Sequence, residues 1–287
     1  MKKGIPHSAP KSIKEAFDLT GRVAVITGGA GLLGVKHGEV IAEMGGTPVL
    51  VDLDKSKVEA SANNITEKYG TEAFGWTADI TSPKAVEDLK DRIMERFGRV
   101  DILINNAANN PAVSNDSESK KQWSRLEQFP MDLWEQDIAV GLTGAFLCSR
   151  TLGAEMAGVG RGVILNIGSD LGLIAPDQRL YQKDGSPPDE QPVKPVTYSV
   201  VKSGLIGLTR YLATYWADRG VRANLIAPGG VYTDQDHNFV EQLSRLIPLG
   251  RMAHHDEYKS SVAFLVSDAS SYMNGAILSI DGGRTCW

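Results

Sequence analysis

Short runs rich in valine, isoleucine and leucine recur along the 287-residue chain, separated by longer stretches whose apolar residues follow a helical spacing. The runs are too apolar for a sheet with one face in water, so we expect parallel strands covered by helices on both faces. This alternation predicts an α/β fold built on a doubly wound parallel sheet of about seven strands. The predicted strands span residues 23–27, 48–52, 73–77, 101–104, 163–167, 222–226 and 276–280.

Two polar segments interrupt the alternation, near residues 109–129 and 175–195. Connections of this length in a compact domain are usually lids over a site or disordered excursions. Because both segments lie beside predicted strand ends, we favour lids. The remaining pattern predicts an N-terminal arm of residues 1–18 and a single domain of residues 19–287 that carries the two inserted loops.

Charge and composition exclude several classes of partner. The 30 basic and 35 acidic residues give a net charge of −5, and no basic run is present that would bind a nucleic-acid backbone. The N-terminus has no apolar targeting segment, and no apolar stretch is long enough to cross a membrane, so we expect a soluble, cytoplasmic protein. The two cysteines, Cys148 and Cys286, have no metal-binding spacing, and we predict neither a metal site nor a disulfide.

A glycine-rich turn, Thr27-Gly-Gly-Ala-Gly-Leu-Leu-Gly34, directly follows the first predicted strand, and a helical pattern starts within it. Glycines let the backbone turn sharply and let a pyrophosphate approach, while the helix N-terminus offers unpaired N–H groups. The strand-to-helix context therefore indicates a dinucleotide-binding turn in a Rossmann-like fold. Its candidate cofactor-binding residues are Gly28, Gly31, Leu33 and Gly34.

The second predicted strand ends in Asp52, 24 residues beyond Gly28. A carboxylate at this place can accept hydrogen bonds from both hydroxyls of an adenosine ribose and would repel a 2′-phosphate. The sequence thus favours NAD over NADP. Asp54 is close enough that either carboxylate could have this role.

Tyr198 and Lys202 are four residues apart in a helical stretch, so they are predicted to share one helix face. A tyrosine needs its pKa lowered by about 3 to act as an acid or base at neutral pH, which corresponds to roughly 4 kcal/mol. One ammonium about 4 Å away supplies about that much at an effective dielectric near 20. The pair is therefore a candidate acid/base site.

Together these motifs resemble the short-chain dehydrogenase/reductase family, and the resemblance covers residues 19–287. Single motifs are weak, but several in the right order at predicted strand ends are specific. They are the glycine turn, Asp79-Ile80, Asn105-Asn-Ala-Ala108, Ser169, Tyr198 with Lys202, and Pro228-Gly229.

The resemblance implies a role for each matching residue. Tyr198 is expected to be the acid/base, Lys202 to lower its pKa and hold the nicotinamide ribose, and Ser169 to orient the substrate oxygen. Further cofactor contacts are expected from Asp79, Ile80, Asn106, Ala107, Pro228, Gly229, Val231 and Thr233. The two asparagines, Asn105 and Asn106, could equally serve as structural ties between strands.

The chain departs from the family pattern at two places. Its glycines read Gly28-x-x-Gly31-x-x-Gly34, which resembles the extended branch of the family, many of whose members act on nucleotide sugars. Gly141 stands where the family commonly has an asparagine that holds a water in a proton relay through the lysine. A water could fill the vacated space, or the relay could differ.

The resemblance implies an NAD(P)-dependent dehydrogenase/reductase that interconverts a secondary alcohol and a ketone. Four polar residues of the loops, Arg125, Asp177, Gln178 and Arg179, suggest a polar small-molecule substrate of the anionic or carbohydrate-like kind. The alternatives are a nucleotide-sugar epimerase or dehydratase that retains NAD, and a non-catalytic NAD-binding regulatory protein. Family members usually associate through two long helices, here near residues 131–157 and 197–218, so we expect a homo-oligomer, either a dimer or a homotetramer.

Overall fold

The computed structural model describes residues 12–109, 123–182 and 185–287, which contain a seven-stranded sheet in the order β3-β2-β1-β4-β5-β6-β7. All pairings between neighbouring strands are parallel. The strands are β1 (Val23–Thr27), β2 (Thr47–Asp52), β3 (Phe74–Thr77), β4 (Ile102–Asn105), β5 (Gly162–Ile167), β6 (Val221–Pro228) and β7 (Ile277–Ile280). The predicted α/β class and all seven predicted strands are confirmed, with ends that differ by at most two residues.

Helices cover both faces of this sheet. They are α1 (Ile13–Phe17), α2 (Leu32–Glu43), α3 (Lys55–Tyr69), α4 (Pro83–Phe97), α5 (Met131–Ile138), α6 (Gly144–Val159), α7 (Val196–Tyr215), α8 (His237–Arg245) and α9 (Lys259–Val266). Successive residues of β1 point to opposite faces, so Val23 and Val25 pack into one core while Ala24 and Ile26 pack into the other. Among the described residues, no helix is both long enough and apolar enough to cross a membrane.

The strand order reverses at β1, which lies between β2 and β4. At such a switch point the connections leave to opposite sides, and a crevice opens beyond the carboxyl ends of the strands. The glycine turn follows β1 and the Asn105-Asn106 pair begins at the end of β4, so both lie at this crevice.

The predicted arm and loops are described only in part. Residues 1–11 of the arm, residues 110–122 of the first loop and residues 183–184 of the second lie outside the described residues. Residues 13–17 form α1, in which Ala16 is buried. The described parts of the two loops contact each other, because the Arg125 guanidinium donates to the carbonyl of Pro188 at 3.2 Å and to that of Gln191 at 3.4 Å.

His37 on α2 gives the fold a testable pH dependence. Its side chain is buried, and burial lowers its pKa from 6.5 to about 4. The unfolded chain therefore binds a proton at His37 at a higher pH than the folded protein does, and stability falls as the pH drops from 6.5 to about 4. The full loss from this one residue is about 3 kcal/mol.

His37→Gln is therefore expected to flatten the decline in unfolding free energy between about pH 7 and about pH 5. Urea unfolding at these two pH values measures it. His237→Gln, at an exposed position on α8, is the matched control and should leave the decline as in the wild type. An equal decline in His37→Gln and in the wild type would contradict the assignment.

Candidate active site

The turn after β1 has a backbone that only glycine accommodates. Gly28 has φ +62°, and a Cβ there would lie 2.9 Å from the Cα of Ala107. A Cβ at Gly34 would overlap the Gly28 carbonyl. Helix α2 begins directly after Gly31, so the N–H groups of its first turn face the crevice without a side-chain cap. This cradle fits a pyrophosphate.

Asp52 ends β2 and is fixed beside the turn. Its Oδ2 accepts from the Ala30 N–H at 3.0 Å, and its Oδ1 accepts from the Leu53 N–H at 2.8 Å. Asp54 instead caps α3, where hydrogen bonds from Ser56 and Lys57 lower its pKa to about 2. Of the two carboxylates, the geometry favours Asp52 for contact with a ribose, because Asp52 lines the crevice and Asp54 is committed to the helix cap.

The two adjacent asparagines differ in what they contact. Asn105 is buried, and its amide donates to Ser149 at 3.0 Å and to Asn166 at 2.8 Å, which ties β4 to α6 and β5. Asn106 donates to the carbonyls of Thr27 and Gly28 at 3.0 and 3.1 Å and also lines the crevice. Asn105 is thus a structural connector, whereas Asn106 shapes the turn and faces the site.

The crevice consists of two adjoining pockets. The first, of about 250 Å³, lies beyond β1 to β4, and its lining includes the predicted residues Gly28, Gly31, Asp52, Asp79, Ile80, Asn106 and Ala107. The second, of about 380 Å³, lies beyond β5 and β6, and its lining includes Leu33, Asn106, Ser169, Tyr198, Lys202, Pro228, Gly229, Val231 and Thr233. The structure therefore brings the predicted site residues to one crevice, except Gly34, which shapes the turn from within α2.

Ser169, Tyr198 and Lys202 converge in the second pocket. Ser169 follows β5, and its hydroxyl donates to the Asp170 carboxylate at 2.8 Å. Tyr198 and Lys202 lie one turn apart at the start of α7, as predicted from their spacing. The buried Lys202 ammonium donates to the Ile167 carbonyl at 2.8 Å and lies 5.8 Å from the centre of the Tyr198 ring.

The pKa of Tyr198 is not set mainly by Lys202, contrary to the expectation from the sequence. Burial raises the pKa of Tyr198, a hydrogen bond with Ser169 opposes that rise, and the Asp170 carboxylate adds to it. Lys202 has a smaller effect on this pKa than burial does, because its ammonium points at the Ile167 carbonyl rather than at the phenol. Burial also lowers the pKa of Lys202 to about 8.

Gly141 lies in a π-helical turn, Ala139–Thr143, that joins α5 to α6. A Cβ at this position would lie 2.5 Å from the Val201 Cγ1, so Val201 occupies the space that a larger side chain would need. A cavity of about 10 Å³ remains beside Gly141, Tyr198 and Lys202, which is about the smallest volume that holds one water molecule.

The four loop side chains that suggested a polar substrate do not line the second pocket. Arg125 holds the second loop, Arg179 points to solvent and pairs with Asp177 at 2.7 Å, and Gln178 accepts from the Lys194 backbone. These side chains contact the two loops rather than the pocket, and the polar character of the substrate stays a prediction.

Sequence reasoning missed three charged residues that do line this pocket, namely Asp170, Lys194 and Arg284. Asp170 and Arg284 form a buried ion pair at 2.7 Å, although they are 114 residues apart. Lys194 lies two residues before α7, where no helical spacing marks it.

A doubly wound sheet with a glycine turn at its switch point and a serine, a tyrosine and a lysine in one crevice defines the class of nicotinamide-dependent oxidoreductases. Residues 22–181 match the family model described as short chain dehydrogenase, and residues 190–285 match that described as Enoyl-(Acyl carrier protein) reductase. The chain belongs to the short-chain dehydrogenase/reductase family and is an NAD(P)-dependent oxidoreductase.

Its relatives match nearly end to end. A D-threitol dehydrogenase of Mycolicibacterium smegmatis is 32% identical over 279 residues, which covers 96% of each chain. The crystal structure of a gluconate 5-dehydrogenase from Burkholderia cenocepacia with NADP and tartrate is 28% identical, with a TM-score of 0.82 and coverage of 96% of this chain and 100% of that one. An NAD+-bound xylitol dehydrogenase is 26% identical, with a TM-score of 0.79 and coverage of 92% and 99%.

Proposed function

We propose that this protein is an NAD-dependent dehydrogenase that interconverts a secondary alcohol and a ketone on a polar, polyol-like substrate, with Tyr198 as the acid/base. The observation that carries the proposal is the convergence of Ser169, Tyr198 and Lys202 in one pocket beside the glycine turn. The relatives support the substrate class, because threitol, xylitol and gluconate all carry several hydroxyls.

A nicotinamide cofactor held in this crevice would supply the hydride chemistry of the proposed reaction. During oxidation the Tyr198 phenolate oxygen takes the proton of the alcohol, and during reduction the Tyr198 phenol gives that proton to the reacting oxygen. On substrate binding, the Ser169 hydroxyl would turn from the Asp170 carboxylate and donate its hydrogen bond to the reacting oxygen, whose developing negative charge it stabilises. Lys202 would hold the nicotinamide ribose and keeps a positive charge near the phenol.

The remaining site residues are proposed to hold the cofactor. The glycine turn, with Gly28, Gly31, Leu33 and Gly34, would hold the pyrophosphate, and Asp52 the adenosine ribose. The residues that would line the rest of the cofactor path are Asp79, Ile80, Asn106, Ala107, Pro228, Gly229, Val231 and Thr233. Residues 19–287 would then form one dinucleotide-binding catalytic domain.

The preference for NAD is tested by Asp52→Asn. Removal of the carboxylate abolishes its repulsion of a 2′-phosphate, so NADP is expected to bind about tenfold tighter, while NAD weakens as a ribose acceptor is lost. Calorimetry with both cofactors measures this. Asp54→Asn is the control and should leave the preference unchanged, whereas tighter binding of NADP than of NAD by the wild type would contradict the assignment.

The lining of the second pocket supports a hydroxylated substrate. Its polar groups include Ser169, Asp170, Lys194 and Gln235, while Phe239 and Leu243 form an apolar wall. A panel of polyols, sugar acids and apolar secondary alcohols, each assayed with NAD, tests the substrate class. Turnover confined to the apolar alcohols would contradict it.

The relatives that cover nearly the whole chain are named dehydrogenases and reductases, which favours net hydride transfer over an epimerase that retains its NAD.

We also propose a cytoplasmic homo-oligomer, either a dimer or a tetramer, that associates through α6 and α7. Tyr211 and Tyr215 stack on each other at 5.5 Å on α7 and are both exposed, as is Phe146 on α6. Sedimentation would give the number of subunits.

A further inference from the structure

The ring of Tyr198 contacts a second ammonium besides that of Lys202. The Lys194 Nζ lies 3.9 Å from the ring centre, whereas the Lys202 Nζ lies 5.8 Å away. Both distances are within the range of a cation–π interaction, and the shorter one gives the stronger attraction. The nearer cation of the tyrosine is thus a residue that the Tyr-x-x-x-Lys motif does not contain.

The backbone holds Lys194 in this position. Its N–H donates to the Gln178 Oε1 at 2.8 Å, which links the end of the second loop to the loop's own first part. Pro195 follows immediately and is the residue before α7. Lys194 is therefore fixed at the point where the loop enters the helix that carries Tyr198.

Charged side chains of both signs line the two cavities beside Tyr198. In the described parts of the chain, the ionisable groups that line the two cavities beside it are Asp137, Asp170, Tyr181, Lys194, Lys202 and Arg284. The Asp170 charge is balanced by Arg284, and Asp137 accepts from the Thr197 hydroxyl. Of the cations in this set, Lys194 and Lys202 are the ones that lie over the Tyr198 ring.

The two lysines also act on each other. Burial lowers the pKa of Lys194 to about 8, and the charge of Lys194 helps to lower that of Lys202, also to about 8. Both remain mainly protonated near pH 7, which means that both charges are present where the tyrosine would work.

We propose that Lys194 is a positioning residue that, together with Lys202, stabilises the tyrosinate form of Tyr198 through the face of its ring. A cation attracts an electron-rich ring more strongly when the phenol has lost its proton, so its presence favours the deprotonated state. The Lys194 charge thereby offsets part of the rise in pKa that burial imposes on Tyr198. The inference deepens the proposed function, since it takes Tyr198 as the acid/base.

The test is a spectroscopic titration of tyrosine ionisation in the intact protein, which needs no substrate. The chain has eight tyrosines, so subtracting the Tyr198→Phe curve from the wild-type curve isolates Tyr198. The same subtraction is made in the Lys194→Met background, where the midpoint is expected about one pH unit higher. In Lys194→Arg the Tyr198 midpoint should return most of the way to its wild-type value. Lys55→Met, at an exposed position on α3, should leave the midpoint unchanged.

The pH at which kcat/KM for alcohol oxidation rises gives a second readout, and it should move upward in Lys194→Met by a similar amount. Lys194→Gln serves as a second neutral variant if the methionine variant does not fold. An unchanged Tyr198 midpoint, or a loss confined to the KM for anionic substrates, would overturn the proposal. A shifted midpoint in a protein that turns over no alcohol would instead contradict the proposed function and leave the role of Lys194 intact.

Discussion

Replacement of Tyr198 by phenylalanine is expected to lower kcat about 10²- to 10⁴-fold, the usual contribution of a positioned acid/base, while NAD binds as in the wild type. Only the phenol oxygen is lost, so the ring keeps its contacts with Lys194 and Lys202. Steady-state turnover together with calorimetry separates the chemical step from cofactor binding.

Tyr181→Phe is the matched control, because Tyr181 lines the same pocket. Its ring packs against Phe239 with a centroid distance of 5.8 Å, and burial raises its pKa to about 12. The Tyr198 ring lies beside two ammonium groups, whereas the Tyr181 ring packs against Phe239, so this variant should keep most of its activity. Turnover by Tyr198→Phe at the wild-type rate would remove Tyr198 from the mechanism.

Replacement of Arg284 by methionine is expected to destabilise the fold by about 3–5 kcal/mol. The Asp170 and Arg284 side chains are only 4% and 7% exposed, so the substitution leaves a buried carboxylate without its counter-ion. That carboxylate also accepts the hydroxyl of Ser169, and turnover should fall together with stability. Urea unfolding measures the first effect, and kcat measures the second.

Two further variants test whether this loss comes from the broken pair. Asp170→Asn combined with Arg284→Met removes both charges and should be more stable than Arg284→Met alone. Arg245→Met breaks an exposed helical pair with Glu241 and should cost no more than about 0.5 kcal/mol. A similarly small cost in Arg284→Met would show that the buried pair contributes little.

The fold could be predicted from the sequence because parallel strands buried on both faces leave continuous apolar runs. The runs at residues 23–27 and 163–167 mark β1 and β5 almost to the residue. The site motifs were found for a related reason, since chemistry at a switch point must lie just after strand ends. Asp52 and Ser169 both occupy such places.

What the sequence could not predict depends on contacts between distant residues. Arg284 reaches Asp170 only through the tertiary fold, and nothing in its neighbourhood marks it. A sequence also does not show where a side chain points, and Arg179 turns to solvent rather than to the pocket. The sequence also does not give the distances from the two ammonium groups to the Tyr198 ring, and Lys194 lies nearer to the ring than Lys202 does.

Deuterium transfer from a polyol labelled at its reacting carbon to the bound cofactor tests the central claim most directly. With NAD present, mass spectrometry should find one deuterium in the reduced cofactor for each ketone formed. In Tyr198→Phe the same transfer should be much slower than in the wild type. Release of a changed substrate without any labelled reduced cofactor would contradict the account, and an epimerised alcohol beside unreduced NAD would point to the alternative reaction.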